Sequence, residues 1–205
     1  MKQWVTVTAG LVVALAIGAA VWEPLVATSA APPPERKYDA RIVRDEFGVP
    51  HIFGKTDADA SYGLAYAHAE DDFETIQQVV AMTRARTGAI IGSDGAKVDY
   101  VEHLLGARET TQRRYREIPA DVRALLDAYA TGLNLFAARH PGEVRLSKLF
   151  PVNGEDIATG FVLRAPFFFG LDGVIGKLAA DEMPPVDGAA PPLTPVGRNP
   201  ARHGS

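Results

Sequence analysis

The chain has 205 residues, enough for one domain with a sizeable core, and a formal net charge of −4. Acidic and basic residues are interspersed, so no basic face for nucleic acid is predicted. The absence of cysteine excludes disulfides, thiolate metal sites and a cysteine nucleophile. The five histidines lack the spacing of a zinc site.

Residues 1–31 have the organisation of a secretion signal. A short positive head precedes an uncharged run at 5–22, and small residues follow at 27–31. The run also approaches the length of about 20 residues that spans a membrane, so a retained N-terminal anchor is the alternative. A cleaved signal is favoured because the small residues and three prolines follow so closely. The protein is therefore expected to be periplasmic or secreted, with no other membrane contact.

A short β-hairpin is predicted at the start of the ordered part, near Tyr38. Apolar and charged residues alternate at 40–43, a turn with a glycine follows at 45–48, and a second extended run covers 49–53. Pro50 restricts this second run to an edge strand or a strand start.

A long helix is predicted behind Thr56, whose spacing from Asp59 is that of a capping box. Apolar residues at helical spacing form one stripe: Tyr62, Tyr66, Ala69, Phe73, Ile76 and Val80. Arg84 is favourable near the C-terminal end, and Gly88 can close the helix. The acidic residues at 70–74 raise the question of calcium, but at helical spacing they point in different directions. A solvated face with one ion pair is favoured.

Two further helices are predicted. The second begins at Ile118–Pro119 and ends at 140–142, with a buried stripe of Val122, Leu125, Leu126, Tyr129, Leu133 and Phe136. The third begins near Asn153 and is interrupted after Pro166. Phe167, Phe168 and Phe169 follow, and three adjacent side chains cannot share one helix face. They either line an apolar pocket or pack against a partner chain, and packing is favoured.

Residues 183–204 are rich in proline and glycine and show no periodic pattern of apolar residues, which is typical of a spacer. The largely helical domain is thus predicted to cover residues 38–182. Gly204 is the last residue of this spacer and Ser205 follows it, and Ser205 is the candidate catalytic residue if the bond before it is cut.

Two motifs resemble the penicillin acylase family. Residues 44–52, RDEFGVPHI, are similar to the opening signature of that family, and residues 63–71, GLAYAHAED, are similar to the helix that follows it there. The segment from Arg84 to Gly92 is similar to the next part of the family pattern, and Gly204–Ser205 fits the junction between its two chains.

The resemblance implies an N-terminal-nucleophile hydrolase that splits linear amides. The fold class is then mostly α, the α chain of an αββα hydrolase with a short N-terminal β hairpin. Such a precursor cleaves itself between Gly204 and Ser205, so Ser205 would be the first residue of a truncated β chain. The partner would be that β chain, the substrate a small N-acyl amide, and the α-chain portion alone would be inactive.

Within the family, Asp72 stands where the penicillin G branch usually has arginine. At this position the chain resembles the branch acting on acyl-homoserine lactones and lipopeptides. Penicillins remain alternative substrates. Phe167–Phe169 fall near the residues that line the acyl pocket in relatives. The calcium of the penicillin G enzymes has no evident ligand here, because residues 156–175 lack the expected glutamate. No metal or cofactor is therefore predicted. The alternative function is a secreted, non-catalytic helical interaction protein built on the same framework.

Overall fold

The structure is a computed structural model, and it describes residues 37–146 and 148–179. The signal at 1–31, the spacer at 183–204 and the Gly204–Ser205 junction lie outside the described residues, so those predictions stay predictions. The described elements are two strands, β1 (Ala40–Arg44) and β2 (Pro50–Gly54), and seven α-helices: α1 (Asp57–Thr83), α2 (Gly88–Ile91), α3 (Ser93–Leu105), α4 (Ala107–Arg114), α5 (Ala120–Arg139), α6 (Gly154–Arg164) and α7 (Leu171–Ala179). Short 3-10 helices lie at Tyr115–Glu117, Pro141–Glu143 and Ala165–Phe169. The mostly α fold class with a short hairpin is confirmed.

The hairpin forms where the sequence predicts it. β1 and β2 are antiparallel, with Ile42 opposite Ile52, and β2 begins at Pro50. Gly48 takes a φ of 81°, a left-handed conformation that glycine adopts without strain. One face of the hairpin packs on α1, where a Cβ at Gly63 would lie 2.8 Å from Ile52. A glycine at position 63 therefore lets the sheet approach the helix closely.

Helix α1 begins with the predicted capping box. The Thr56 side chain accepts from the Asp59 amide at 3.1 Å, and the Asp59 carboxylate accepts from the Thr56 amide at 3.1 Å. The helix is interrupted at Asp72, whose φ and ψ of −156° and 73° are not helical. The Asp72 side chain accepts from the Thr75 amide at 3.0 Å and so caps the second half of the helix. The sequence pattern does not reveal this kink.

The core lies mainly between α1 and α5, together with the segment at 144–152. Small residues allow α1 and α5 to approach each other closely. Ala65 and Ala128 are fully buried, and Gly132 is buried as well. Larger side chains fill the remaining space, among them Phe73 and Phe136, whose ring centroids are 4.8 Å apart. Both predicted stripes therefore face the core, except that Val122 at the start of α5 is 40% exposed. The expectation that Val122 is buried is therefore wrong.

The segment between α1 and α5 differs from the prediction. α1 ends at Thr83, and Gly88 begins α2 instead of closing α1. Helices α3 and α4, joined by Gly106 with a φ of 58°, occupy 93–114. These segments contain several glycines, and their apolar residues form no stripe long enough to predict a helix from the sequence. Packing on α1 and α6 stabilises helices that periodicity does not predict.

Residues 166–179 form a second compact unit. The helix interruption at Pro166 is confirmed, since α6 ends at Arg164 and the Ala165–Phe169 turn is a 3-10 helix. Gly170, with a φ of 86°, separates this turn from α7. Within the described residues, no single helix is both long and apolar enough to cross a membrane. Only the bent pair Gly154–Phe169 and Leu171–Lys177 has that length and composition when taken together.

Candidate functional site

The predicted site residues fall in two places. Gly204 and Ser205 lie outside the described residues. The three phenylalanines lie in the 3-10 helix before α7, where Phe168 is 81% and Phe169 is 89% exposed and Phe167 is half-buried. As predicted, they do not share one buried face.

A second arrangement, which we call the Asp156 cluster, consists of Arg84, Arg108 and Asp156. Asp156 lies in the first turn of α6, and its side chain is only 1% exposed. Arg84 donates from Nε and from one terminal nitrogen to its two carboxylate oxygens, at 2.9 and 2.6 Å. Arg108 donates to the same carboxylate at 3.1 Å. Two guanidinium groups, one just after α1 and one in α4, thus share one buried carboxylate, so loss of that carboxylate would leave both without this partner.

The protonation state of Asp156 follows from this geometry. Burial alone would raise the pKa of the carboxyl, because it penalises the charged form. The hydrogen bonds from Arg84, from the Asn153 amide and from Arg108 outweigh burial and hold the pKa below its ordinary value. Asp156 is therefore charged at neutral pH, and the cluster contains two positive charges and one negative charge.

The cluster also connects the chain segments around it. Arg84 donates to the carbonyl oxygens of Leu149 at 2.8 Å and Pro151 at 3.0 Å. Asp156 belongs to a capping box, in which its carboxylate accepts from the Asn153 amide at 2.9 Å and the Asn153 side chain accepts from the Asp156 amide at 3.0 Å. The end of α1 and the loop at 148–151 are thereby joined to the start of α6.

The sequence places Arg84 near the end of α1 and predicts a helix start near Asn153, but it gives no role to Arg108 and does not predict the cluster. The capping signal was correct, since the full capping box is present. The pairing of residues that are 72 positions apart has no signal in one sequence.

The signature motif at 44–52 contributes contacts between the hairpin and α1. Arg44 donates to the Gly48 carbonyl at 2.8 Å and reaches Glu70 at 3.1 Å and Asp71 at 2.8 Å. These contacts raise the pKa of Arg44, first through the hydrogen bond with Glu70. The pKa of Asp45 is lowered, first by its hydrogen bond with His51, which lies at 3.2 Å, and then by the Val49 amide. The motif therefore stabilises the turn and joins it to the helix.

The acidic residues at 70–74 are used separately. Glu70 and Asp71 bind Arg44, Asp72 caps the second half of α1, and Glu74 binds Arg145. Across 37–146 and 148–179, no group of three or more histidines and acidic residues is placed to hold a metal ion. The two carboxylate oxygens of Asp156 accept hydrogen bonds from Arg84 and Arg108.

Several large apolar side chains of the first unit are exposed. Phe47 at the hairpin tip is 84% exposed, and Phe161 on α6 is 70% exposed. Others on the hairpin and helices are Val49, Phe53, Leu64, Val79, Ile91, Tyr100 and Leu104. These exposed side chains belong to the hairpin, to α1–α3 and to α6.

Comparison with known proteins agrees with this scaffold. The family model "Penicillin amidase" matches residues 39–163. The penicillin acylase 2 proenzyme of Pseudomonas sp. strain SE83 is 30% identical over 98 residues, which cover 48% of this chain and 13% of the relative. The acyl-homoserine lactone acylase PvdQ of Pseudomonas fluorescens strain Pf0-1 is 27% identical over 138 residues, which cover 63% of this chain and 16% of the relative. The chain thus spans less than a fifth of the length of these relatives.

A solved structure has the same fold. The thermostable penicillin G acylase from Alcaligenes faecalis matches 71% of this chain and 76% of its own chain, with a TM-score of 0.52 and 20% sequence identity. The family match extends from the hairpin to the end of α6 and so includes the Asp156 cluster and the signature motif. The chain belongs to the penicillin amidase family.

Proposed function

We propose that this chain is the α-chain portion of a self-cleaving acylase precursor that hydrolyses N-acyl amides. The observation that carries the proposal is the family match over residues 39–163, on a helical scaffold that a penicillin G acylase shares. Relatives with recognisable similarity are acylases, so amide hydrolysis is the chemistry that the match supports.

Ser205 is the proposed nucleophile. A hydroxyl is a weak nucleophile until a base removes its proton. In the precursor, the Ser205 hydroxyl would attack the Gly204 carbonyl, and water would hydrolyse the resulting ester. This frees an α-amino group, whose unperturbed pKa of about 7.7–8.0 suits a general base at neutral pH. The new amine would then activate the same hydroxyl to attack the substrate carbonyl. The substrate amine would leave with a proton, and water would release the acid from the acyl-enzyme.

The proposed partner is a β chain that follows Ser205 in the precursor. Two observations support it: the relatives are several times longer than this chain, and one of them is named a proenzyme. The exposed apolar residues of the hairpin and helices are the surface that such a partner would cover. The β chain would also supply the hydrogen-bond donors for the oxyanion.

The proposed substrates are acyl-homoserine lactones, acylated lipopeptides or penicillins, with Phe167, Phe168 and Phe169 in contact with the acyl group. Many of the matched relatives are named acyl-homoserine lactone acylases, among them PvdQ and QuiP of Pseudomonas species. Asp72, in place of the arginine of the penicillin G branch, also favours long-chain acyl substrates over phenylacetyl ones. With the signal at 1–31, the enzyme would act in the periplasm or outside the cell.

A hydrolysis assay on the full-length protein tests this function. We expect release of free amine from N-acyl-homoserine lactones or long-chain acyl amides, and slower release from phenylacetyl amides. Hydrolysis of phenylacetyl compounds alone would contradict the branch assignment. No hydrolysis of any N-acyl amide, by a protein that is folded and monodisperse, would favour the non-catalytic interaction protein.

A further inference from the structure

We propose that Arg108 binds a carboxylate group of another molecule, through the edge of its guanidinium group that Nε and Nη2 form. The carboxylate comes from a side chain of a partner chain or from a small carboxylic acid in solution. Arg108 lies in α4, and all the contacts that carry the inference lie within the first compact unit of the chain. The inference holds whether or not the full-length protein is an acylase.

The Asp156 cluster holds the Arg108 guanidinium at one nitrogen. Nη1 donates to the Asp156 carboxylate at 3.1 Å and to the Thr83 carbonyl at 3.3 Å. The Arg108 backbone amide donates to the buried Glu102 carboxylate at 3.0 Å. Within 37–146 and 148–179, neither Nε nor Nη2 of Arg108 has a hydrogen-bond partner. The guanidinium is therefore fixed in place while two of its nitrogens remain able to donate.

The neighbouring arginine shows what such an edge binds. Nε and Nη2 of Arg84 donate to the two oxygens of Asp156, at 2.9 and 2.6 Å. These two nitrogens present parallel N–H groups whose spacing matches the two oxygens of a carboxylate. The corresponding edge of Arg108 has the same chemistry, so a carboxylate is the group that fits it.

Asp156 cannot bind both edges. Its Oδ1 accepts from Arg84 and Arg108, and its Oδ2 accepts from Arg84 and from the Asn153 amide. A carboxylate has about four acceptor positions, so those of Asp156 are all in use. A carboxylate for the second edge of Arg108 has to come from another molecule.

Arg108 is more accessible than the other members of the cluster. Its side chain is 32% exposed, compared with 16% for Arg84 and 1% for Asp156. Because Nη1 contacts two buried residues, Thr83 and Asp156, the part of the side chain that reaches solvent lies away from that nitrogen. The same contacts hold the guanidinium, so binding there costs less side-chain entropy than binding to a mobile surface arginine.

The charge of the cluster favours an anion with one negative charge. Arg84 and Arg108 share the single carboxylate of Asp156, so one positive charge of the cluster remains for a further anion. A carboxylate supplies one negative charge. A doubly charged phosphate would be repelled more strongly by Asp156, which lies beside Arg108.

Chemical modification of arginine in the full-length protein tests the inference. p-Hydroxyphenylglyoxal reacts with accessible guanidinium groups, and mass spectrometry of the peptides gives the reaction rate at each arginine. Arg116 is the reference, because it is exposed and its side chain has no hydrogen-bond partner among the described residues. Acetate is the probe, and sodium chloride at equal ionic strength is the control for screening.

The two sources of the carboxylate give different results. If a small acid binds, Arg108 reacts without acetate, and acetate at about ten times its dissociation constant slows that reaction about tenfold without slowing the one at Arg116. If a partner chain supplies the carboxylate, Arg108 is protected before acetate is added. A crystal structure of the full-length protein then shows an Asp or Glu side chain within about 3 Å of Nε and Nη2.

Arg108→Lys provides a second measurement, since lysine keeps the charge beside Asp156 but lacks the two-point edge. For a small acid, acetate should raise the unfolding temperature of the wild type and of Arg116→Lys more than that of Arg108→Lys. For a partner chain, Arg108→Lys and not Arg116→Lys should lower the urea concentration that separates the two chains. The inference is wrong if Arg108 reacts as fast as Arg116 at every acetate concentration, or if a group other than a carboxylate protects it.

Discussion

Gly132 of α5 lies against the Tyr62 carbonyl of α1 so closely that a Cβ at position 132 would overlap that oxygen. Ala65 is next to the same point, where the Cβ would be 2.8 Å from the alanine methyl. The two longest helices of the described residues therefore meet backbone to backbone at this position. Small side chains on both helices, and not only the apolar stripes, determine how they pack.

Gly132→Ala should destabilise the chain although alanine is the better helix former. Alanine favours a helix interior by about 1 kcal/mol over glycine, but the overlap forces the helices apart at a cost of about 1–3 kcal/mol. Urea unfolding followed by circular dichroism measures the net loss. Gly160→Ala is the control, since a Cβ there meets only Thr83 at an ordinary distance of 3.7 Å. A stability of Gly132→Ala equal to or above that of the control would contradict the packing described.

The Asp156 cluster predicts a particular dependence of stability on pH. The pKa of Asp156 is lower in the folded chain than in the unfolded one, where it is about 3.9. Its contribution is therefore fully present above about pH 4 and is lost as the pH falls through the folded pKa. At pH 7, Asp156→Ala should cost about 3–5 kcal/mol because two partly buried guanidinium groups lose the carboxylate that they share.

Urea unfolding measured at a series of pH values from 7 downwards tests this pH dependence of stability directly. The stability difference between the wild type and Asp156→Ala should be constant down to about pH 4 and shrink below it. Asp94→Asn, at an exposed aspartate paired with Lys97, should show almost no difference at any pH. If the difference in unfolding free energy between the wild type and Asp156→Ala is unchanged at the lowest pH, the charge of Asp156 contributes nothing to stability.

The exposed phenylalanines lead to a prediction about substrate binding. The double substitution Phe168→Ser and Phe169→Ser in the full-length processed protein should raise KM for long-chain acyl amides by about tenfold or more, because each buried apolar ring contributes roughly 1.5–3 kcal/mol. Lys97→Gln, which breaks an exposed ion pair with Asp94, is the control and should leave KM unchanged. Equal KM values for the wild type and the double variant would exclude these residues from the acyl site.

The sequence alone is sufficient to predict the helices and strands that depend on signals between neighbouring residues. Thr56 and Asp59 mark the start of α1, Pro50 marks the start of β2, and Asn153 marks the start of α6; each depends on residues no more than four positions apart. Pro166 ends α6 for an equally local reason. Such features need no knowledge of the tertiary structure.

Other features depend on contacts between distant residues. Helices α2 to α4 have too few apolar residues to form a stripe, and packing on α1 and α6 decides their conformation. The kink at Asp72 looks like continuous helix in the sequence because the capping residue lies within an unbroken apolar pattern. The Asp156 cluster joins residues that are 48 and 72 positions apart, and a single sequence contains no signal for such pairs.

Mass spectrometry of the mature protein tests the central claim most directly. We predict that the purified full-length protein consists of two chains, that the second begins at Ser205, and that Ser205→Ala leaves one unprocessed, inactive polypeptide. Ser93→Ala, at an exposed serine of α3, should be processed like the wild type. Activity in a protein whose Gly204–Ser205 bond is intact, or normal processing and turnover in Ser205→Ala, would contradict the account.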